Sequence, residues 1–335
     1  MNAAARRGWR ALALAVACVA AAQSGAAYAQ VANPSAPWPA RPVRVVVPYT
    51  AGGPVDFIIR TLQPRLLEIW GQPVVIENRA GAAAQIGGEY VMRQPADGLT
   101  LLLGGVQTHA MVVGTVKKML YDPIKDFTPV TQTTRANWML AVHPSIPVNT
   151  PAEWAALVRA SPGKYTYGSS GIGSVAHLAF ESLAAELGLK LLHSPYKGTS
   201  QAAADTVAGS INMVMGDQST LVPLIKAGRL RAIAATGNVR APALPEVPTL
   251  AETLVKGFDA QAWQGVWGPA GMNAELVKKI NADFARALRT PEVMERLRAS
   301  GVEPVGSSVE DFDRFVKREI ATWTSAAKKA GIEPE

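Results

Sequence analysis

An α/β fold with mostly parallel strands is predicted by three observations. Short β-branched runs alternate with amphipathic stretches through most of the chain. Glycine- and serine-rich turns repeatedly join the end of a strand to the start of a helix. The chain, at 335 residues, also exceeds the size at which one core usually keeps growing, so two domains are expected.

The first strand is Val43 to Val47, a continuous β-branched run. Tyr49-Thr-Ala-Gly-Gly53 turns the chain into a helix that opens at Pro54, where the missing N–H of proline costs nothing. Pro73 to Asn78 reads as a strand, Gln85 to Gln94 as a helix, Thr100 to Leu103 as a strand and Ala110 to Leu120 as a helix. Lys164 to Tyr167 leads through Gly168-Ser-Ser-Gly-Ile-Gly-Ser174 into an amphipathic helix, Val175 to Leu187. Strands at Leu189 to His193, Ile211 to Met215 and Leu230 to Ala235 then alternate with helices at Gln201 to Ala208 and Leu221 to Ala227. Two long extended segments, Phe127 to Val142 and Phe258 to Pro269, break the alternation and suit passages between domains. Two tail helices, Ala274 to Leu288 and Val309 to Ala330, read as packing elements, the second behind a Ser307-Ser-Val-Glu310 capping box.

In open α/β sheets, ligands bind beyond the carboxyl ends of the strands. The turns there are Tyr49 to Gly53, Gly104 to His109, Ser169 to Ser174 and Gly216 to Thr220. Each leads into a helix, whose N-terminal N–H groups and dipole suit an anion without a formal cation. Each turn alone is equally explained by helix capping, and their shared position is what points to a site. The expected ligand groups are Tyr49, Thr50, Ala51, Gly52, Gly53, Val55 and Asp56 on the first turn and Thr108 on the second. The third contributes Ser169, Ser170, Gly171, Gly173, Ser174 and His177, and the fourth Asp217. The backbone N–H groups of 51–55 and 170–174 hold carboxylates in this reading, and His177 and Asp56 each have a capping or dipole role as the alternative. Trp263 and Trp267 read as core or hinge packing.

Other chemistries fail on their motifs. Gly171-Ile-Gly-Ser-Val-Ala176 fits a dinucleotide fingerprint, but the next strand ends His193-Ser-Pro-Tyr-Lys197 without the acid that would hold a ribose. A nucleophile elbow needs glycine two residues after the serine, where Ser170 has Ile172. The four histidines, His109, His143, His177 and His193, have no metal-ligand spacing, so neither metal nor cofactor is expected.

Residues 1–29 read as a secretory leader, with Arg6, Arg7 and Arg10 before an apolar run and an Ala27-Tyr-Ala29 cleavage site. Cleavage after Ala29 leaves 306 residues, no cysteine and a net charge of +4 spread along the chain, which disfavours nucleic acid as a partner. Export is therefore expected; the route, general or twin-arginine, stays open.

With these pieces in order, the chain resembles the Bug/TctC family, the extracytoplasmic solute receptors of tripartite tricarboxylate transporters. The resemblance rests on Pro42-Val-Arg-Val-Val-Val-Pro48, Gly52-Gly-Pro-Val-Asp56, Gly71-Gln-Pro-Val-Val-Ile-Glu-Asn-Arg79 and Pro95-Ala-Asp-Gly-Leu-Thr-Leu-Leu-Leu-Gly104. It continues through Tyr121 to Val130, Pro195-Tyr-Lys-Gly198, Ala227-Gly-Arg-Leu-Arg231, Leu244 to Thr249 and Trp263 to Gly271. The resemblance implies a type II periplasmic-binding-protein fold: two α/β lobes, 41–137 with 261–335 and 138–260, joined by two crossover segments around a ligand cleft. It further implies a monomer without catalysis that captures a small organic carboxylate and delivers it to the membrane subunits of the transporter. Tyr49-Thr-Ala51 departs from the Phe and prolines usual in the first turn, which bears on ligand identity. Two alternatives stay open: a receptor for a neutral or cationic solute with Asp56 or Asp217 as counter-charge, and a secreted α/β hydrolase.

Overall fold

The computed structural model describes residues 38–334. The leader expected at 1–29 therefore lies outside the described residues, and among those described no helix is long and apolar enough to cross a membrane.

The strands form one curled mixed sheet. On one side, β1 (Val43–Val47) lies parallel between β2 (Val74–Asn78) and β3 (Thr100–Gly105). On the other, β5 (Thr166–Ser169) lies parallel between β6 (Leu192–Pro195) and β7 (Met213–Asp217). Two strands tie the halves together. The 16-residue β4 (Phe127–Val142) pairs antiparallel with β9 (Gln261–Pro269) over 127–137, then changes partner between Asn137 and Trp138. Its last five residues lie between β7 and β8 (Arg231–Ala235), both antiparallel. The two-residue β10 (Glu303–Pro304) joins β4 at Thr134 and Arg135. Mostly parallel pairing, as predicted, holds within each half; the crossover strands make the junction antiparallel because β4 and β9 run in opposite directions.

Helices cover the sheet for reasons legible in their sequences. Helix α1 (Pro54–Trp70) buries Val55, Ile58, Ile59, Leu62 and Leu66 at helical spacing and stops at Gly71, whose φ of +62° suits glycine. The next helices are α2 (Gln85–Met92), a π-helical turn (Gln107–Met111) and the single turn α3 (Val112–Thr115). The regular helix predicted over 110–120 is thus a π turn and one α turn, because Thr108 bonds the end of β3 and Gly114 packs against Thr324. Helix α4 (Pro151–Ala160), not predicted, starts behind Thr150, whose hydroxyl accepts from the Glu153 N–H at 3.2 Å. Then follow α5 (Val175–Leu187), α6 (Thr199–Val207), α7 (Gln218–Lys226) and α8 (Leu250–Thr253). The chain closes with α9 (Ala274–Leu288), α10 (Pro291–Ala299) and α11 (Val309–Lys329).

Helix α11 is capped by Ser308, which accepts from the Asp311 N–H at 3.0 Å; Ser307, predicted as the cap, instead accepts from the Gln132 N–H. It packs on the π turn, on α3 and on α5, and so touches both halves of the sheet. Trp263 and Trp267 are buried, as expected of core packing. Their indoles meet Phe312 of α11, and the Trp263 Nε1–H donates to buried Glu319 at 2.8 Å.

Candidate functional site

The first turn is built around Asp56. Its carboxylate accepts from the Gly52 N–H at 2.9 Å, from Arg60 Nε at 2.7 Å and from Asn78 Nδ2 at 3.0 Å. Asn78 also donates to the Tyr49 carbonyl, so β2 holds both ends of the turn. The Arg60 hydrogen bond, against an opposing contribution from burial, draws the Asp56 carboxyl down to about 2. Asp56 is 1% exposed, and its charge is spent inside the turn. Gly53 N–H turns back to the Thr50 carbonyl at 3.4 Å and Pro54 has no N–H, so of 51–55 only the amides of Ala51 and Val55 have no acceptor among the described residues.

The second-half turn is equally self-bonded. Ser169, fully buried, accepts from the Gly171 N–H at 3.2 Å and lies 2.7 Å from His193 Nε2. Ser174 caps α5 through the His177 N–H, and its own N–H reaches the Gly171 carbonyl. His177 Nδ1 accepts from the Gly173 N–H at 3.1 Å, which fixes the neutral ring with its proton on Nε2. The His177 and His193 rings stack at 4.0 Å, and His193 stacks in turn on Tyr167. Burial lowers the pKa of both histidines, that of His193 to about 4, with the neighbouring His177 adding to the effect. Of the five amides at 170–174, those of Ser170 and Ile172 have no acceptor among the described residues.

Thr108 is fully buried; its hydroxyl bonds the Gly105 N–H and carbonyl and lies 2.9 Å from His109 Nδ1. His109 stacks on Trp267 at 3.6 Å, and burial pushes its pKa down to about 3. Asp217 caps α7 through the Thr220 N–H and accepts from Ser219. Burial opposes its charge, yet hydrogen bonds from Ser219, Thr199 and Thr220 outweigh it and hold the carboxyl below its ordinary value.

A cavity of about 390 Å³ opens between the halves, within the small end of ligand-pocket sizes. Of the residues expected at the site, it gathers Tyr49, Thr50 and Gly173. None of the other expected residues lines it; Thr108, Ser169, Asp56 and Asp217 instead shape their own turns through hydrogen bonds. The Tyr49 phenol is half-buried, and burial raises its pKa, so it stays a neutral hydroxyl; no group among the described residues bonds it. Among the described residues no charged side chain lines the cavity.

The remaining lining was not among the expected ligand groups, although Gln107 lies in the expected turn Gly104 to His109. Ala80, Gly81, Ala83 and Ala84 form one wall, and Gln107, Met111, Val112 and Thr115 of the π turn and α3 form another. Ala82, Ala83 and Ala84 all have positive φ, 47°, 52° and 68°, each costing roughly 1–2 kcal/mol for a residue with a Cβ. Gln85 holds this segment: its N–H and its Nε2 both donate to the Ala82 carbonyl, while its Oε1 accepts from the Leu120 N–H. Strained backbone and π turns both concentrate at functional sites. Nothing in an alanine run announces left-handed backbone, so the only sequence signal was the cluster of small residues following β2.

The family described as tripartite tricarboxylate transporter family receptor matches residues 58–332. The chain belongs to this receptor family. A "UPF0065 protein in tcbD-tcbE intergenic region" from Pseudomonas is 35% identical over 289 residues, 85% of each chain. A solved structure described as "R. palustris Rpa4515 with adipate" is 37% identical with a TM-score of 0.74, covering 89% of this chain and all of its own. MatC from Rhodopseudomonas palustris, with bound malate, is 31% identical with a TM-score of 0.69, covering 86% and 99%. These receptors share the two-lobed fold, and the cavity at Tyr49, Thr50 and Gly173 lies between the halves of this chain's sheet.

A second cavity, about 290 Å³, lies beside the crossover at Arg135 to Asn137, between Gln218 and Arg298 to Glu303. Of the four turns expected at the site it holds only Gln218, from Gly216 to Thr220, and none of the expected ligand groups.

Proposed function

We propose that this receptor works in the periplasm, captures a small organic carboxylate between its two lobes and hands it to the membrane subunits of a tripartite transporter. One observation carries the reading: the interlobe cavity pairs the turn at Tyr49 and Thr50 with the turn at Gly173, and among the described residues it has donors but no cation. The amides of Ala51, Val55, Ser170 and Ile172, with the hydroxyls of Tyr49, Thr50 and Ser170, are the groups to hold carboxylate oxygens. Asp56 and Asp217 remain at the site as the residues that set turn geometry. The lobes, 41–137 with 261–335 and 138–260, divide where β4 changes partner between Asn137 and Trp138. The chain is exported with cleavage after Ala29, acts as a monomer and performs no catalysis: the Ser169 hydroxyl beside His193 is buried and committed to its own turn.

Adipate and malate on the two related receptors support carboxylates as the ligand class. A cationic solute would need an uncommitted acid in the cavity, and none lines it among the described residues; a neutral solute needs none and is separated from a carboxylate by titration. Calorimetry of the purified mature chain against mono- and dicarboxylates, with amines and amides as the contrast set, tests the reading. Micromolar binding, about −8 kcal/mol, is expected for a carboxylate. Binding of amines with no response to any carboxylate would overturn it, and turnover of an ester would overturn the absence of catalysis.

A further inference from the structure

The cavity of about 290 Å³ at the crossover, near the lower edge of ligand-pocket sizes, lies where β4 changes partner. Both lobes line it, with Arg135, Arg298 and Glu303 from one and Gln218 and Arg240 from the other. Gln218 is 5% exposed, and its Nε2 crosses the lobe boundary to the carbonyls of Asn137 at 3.3 Å and Gly301 at 3.4 Å. Those bonds fix the amide, since a flip would set its oxygen against two carbonyl oxygens. Its Oε1 is buried and has no hydrogen-bond partner. A buried acceptor left unmet is costly, so this one calls for an N–H or O–H from a guest.

The lining is positive, with three guanidiniums against the single carboxylate of Glu303. Arg298 pairs with Glu303, and Arg240 with Glu252. Arg135 has no hydrogen bond or ion pair among the described residues; its one charge relation is attraction to Asp259, in a smaller cavity that Arg135 also borders. Its planar fork is therefore free to take a carboxylate.

We propose that the crossover cavity is a second binding site, for a small hydroxy carboxylate whose anion meets Arg135 and whose hydroxyl donates to Gln218 Oε1. A hydroxyl suits that acceptor better than an ammonium, because the lining is already cationic. Such a guest bridges the lobes, a role that rests on the lobe boundaries and the receptor reading above. The cleft cavity and the crossover cavity exist in one arrangement of the lobes. Each occupant favours that arrangement, so each tightens the other reciprocally.

Calorimetry with matched probes tests the site: lactate against propionate, and 3-hydroxybutyrate against butyrate. Gly173→Val, which weakens the cleft, should still bind the hydroxy acid of one pair at one equivalent, about tenfold or more tighter than its unsubstituted counterpart. In wild type the same hydroxy acid should tighten the best binder among succinate, glutarate and adipate by about fivefold or more. Arg135→Gln should abolish both effects and leave that dicarboxylate alone nearly unchanged, while Gln218→Met should bring the pair to equal affinity. Val239→Trp adds bulk at an exposed lining position and should also abolish hydroxy-acid binding, which keeps the test open should either polar replacement fail to fold. Weaker dicarboxylate binding in the presence of the hydroxy acid would mean competition in the cleft and overturn the second site. So would unchanged binding to Arg135→Gln, or no binding of either hydroxy acid to Gly173→Val, which would leave water to meet Gln218. A dicarboxylate affinity unmoved by a bound hydroxy acid would overturn the coupling. A wild type that binds no dicarboxylate would count against the receptor reading alone, because Gly173→Val reads the second site directly.

Discussion

Asp56 folds the first turn back on its own helix: its carboxylate accepts the Gly52 N–H at 2.9 Å, so one side chain fixes the loop that lines the cleft. Arg60 and Asn78 hold the same carboxylate from the helix and from β2. A residue that looks like a ligand counter-charge in sequence is, in the fold, the peg for the anion-binding turn.

Asp56→Asn should therefore lower both stability and affinity. Hydrogen bonds to charged groups contribute about 1.5–3 kcal/mol each, and the amide keeps only part of them. The pH dependence follows from a carboxyl held at about 2, below the ordinary 3.8. A depressed carboxyl contributes stability that is present above 3.8 and lost as pH falls towards 2. Urea unfolding should show the wild type ahead of Asp56→Asn at neutral pH and the gap closing as pH falls from 3.8 to about 2. A gap that stays constant with pH would mean that the charge of Asp56 is not what the turn uses.

Gly173→Val tests the second turn. Gly173 has a φ of +72° and open space where a Cβ would sit, so the cost is backbone strain in the turn whose N–H bonds His177, not a clash. Gly163, at +73° and equally open, is the matched control away from the cleft. Gly301 is unsuitable for that purpose, because a Cβ there would lie 2.9 Å from Gln218 Cβ. Both valine variants should lose similar stability, roughly 1–2 kcal/mol. Only Gly173→Val should lose carboxylate affinity, by about tenfold or more, the equivalent of one lost hydrogen bond. Equal binding losses in the two would take the second turn out of the site.

The legible and illegible parts of the site separate along physical lines. Strand-to-helix turns at Tyr49 to Gly53 and Ser169 to Ser174 were readable because glycine, proline and serine have strong local preferences, and the structure brings Tyr49, Thr50 and Gly173 to one cavity. The crossover strands were readable from their length and from the break they make in the strand-helix alternation. Which amides stay free was not: Gly52, Gly171 and Gly173 N–H are consumed by Asp56, Ser169 and His177, and that depends on side-chain direction. The π turn at Gln107 and the left-handed alanines at 82–84 were invisible, since side-chain bonds of Thr108 with Gly105 and of Gln85 with Ala82 and the distant Leu120 N–H impose both against local preference.

Relaxing that imposed segment gives a third prediction. Ala83 has a φ of +52° and lines the cleft. Ala83→Gly removes the strain of a Cβ in left-handed backbone, roughly 1–2 kcal/mol, and returns part of it through the freer unfolded chain, about 0.4–1 kcal/mol. The variant should be as stable as wild type or more so by up to about 1.6 kcal/mol, and should bind carboxylates more weakly because the wall is less fixed. Thermal midpoint and calorimetry on the same preparation check both. A stabilised variant with tighter binding would show that the rigid alanine wall does not serve the ligand.

The stacked histidines give the last prediction. His193 is held at about 4 and His177 below its ordinary 6.5, both chiefly by burial, while unfolded histidines titrate near 6.5. The unfolded chain therefore binds more protons between those values, so stability is greatest above 6.5 and falls as pH drops towards 4. Protonating either ring also sets two like charges 4.0 Å apart once the second follows, and a proton on His177 Nδ1 breaks its bond to the Gly173 amide. His193→Phe keeps the aromatic stack between Tyr167 and His177 but removes one titrating group and the Ser169 contact. The variant should be less stable than wild type above pH 6.5, where the Ser169 bond is lost, and should lose less further stability on acidification towards 4. His109, held at about 3, keeps part of the slope in both proteins, so the expected outcome is a shallower dependence and not its disappearance. Chemical denaturation in small pH steps across that interval measures it. Parallel curves for the two proteins would place the acid sensitivity elsewhere than in this pair.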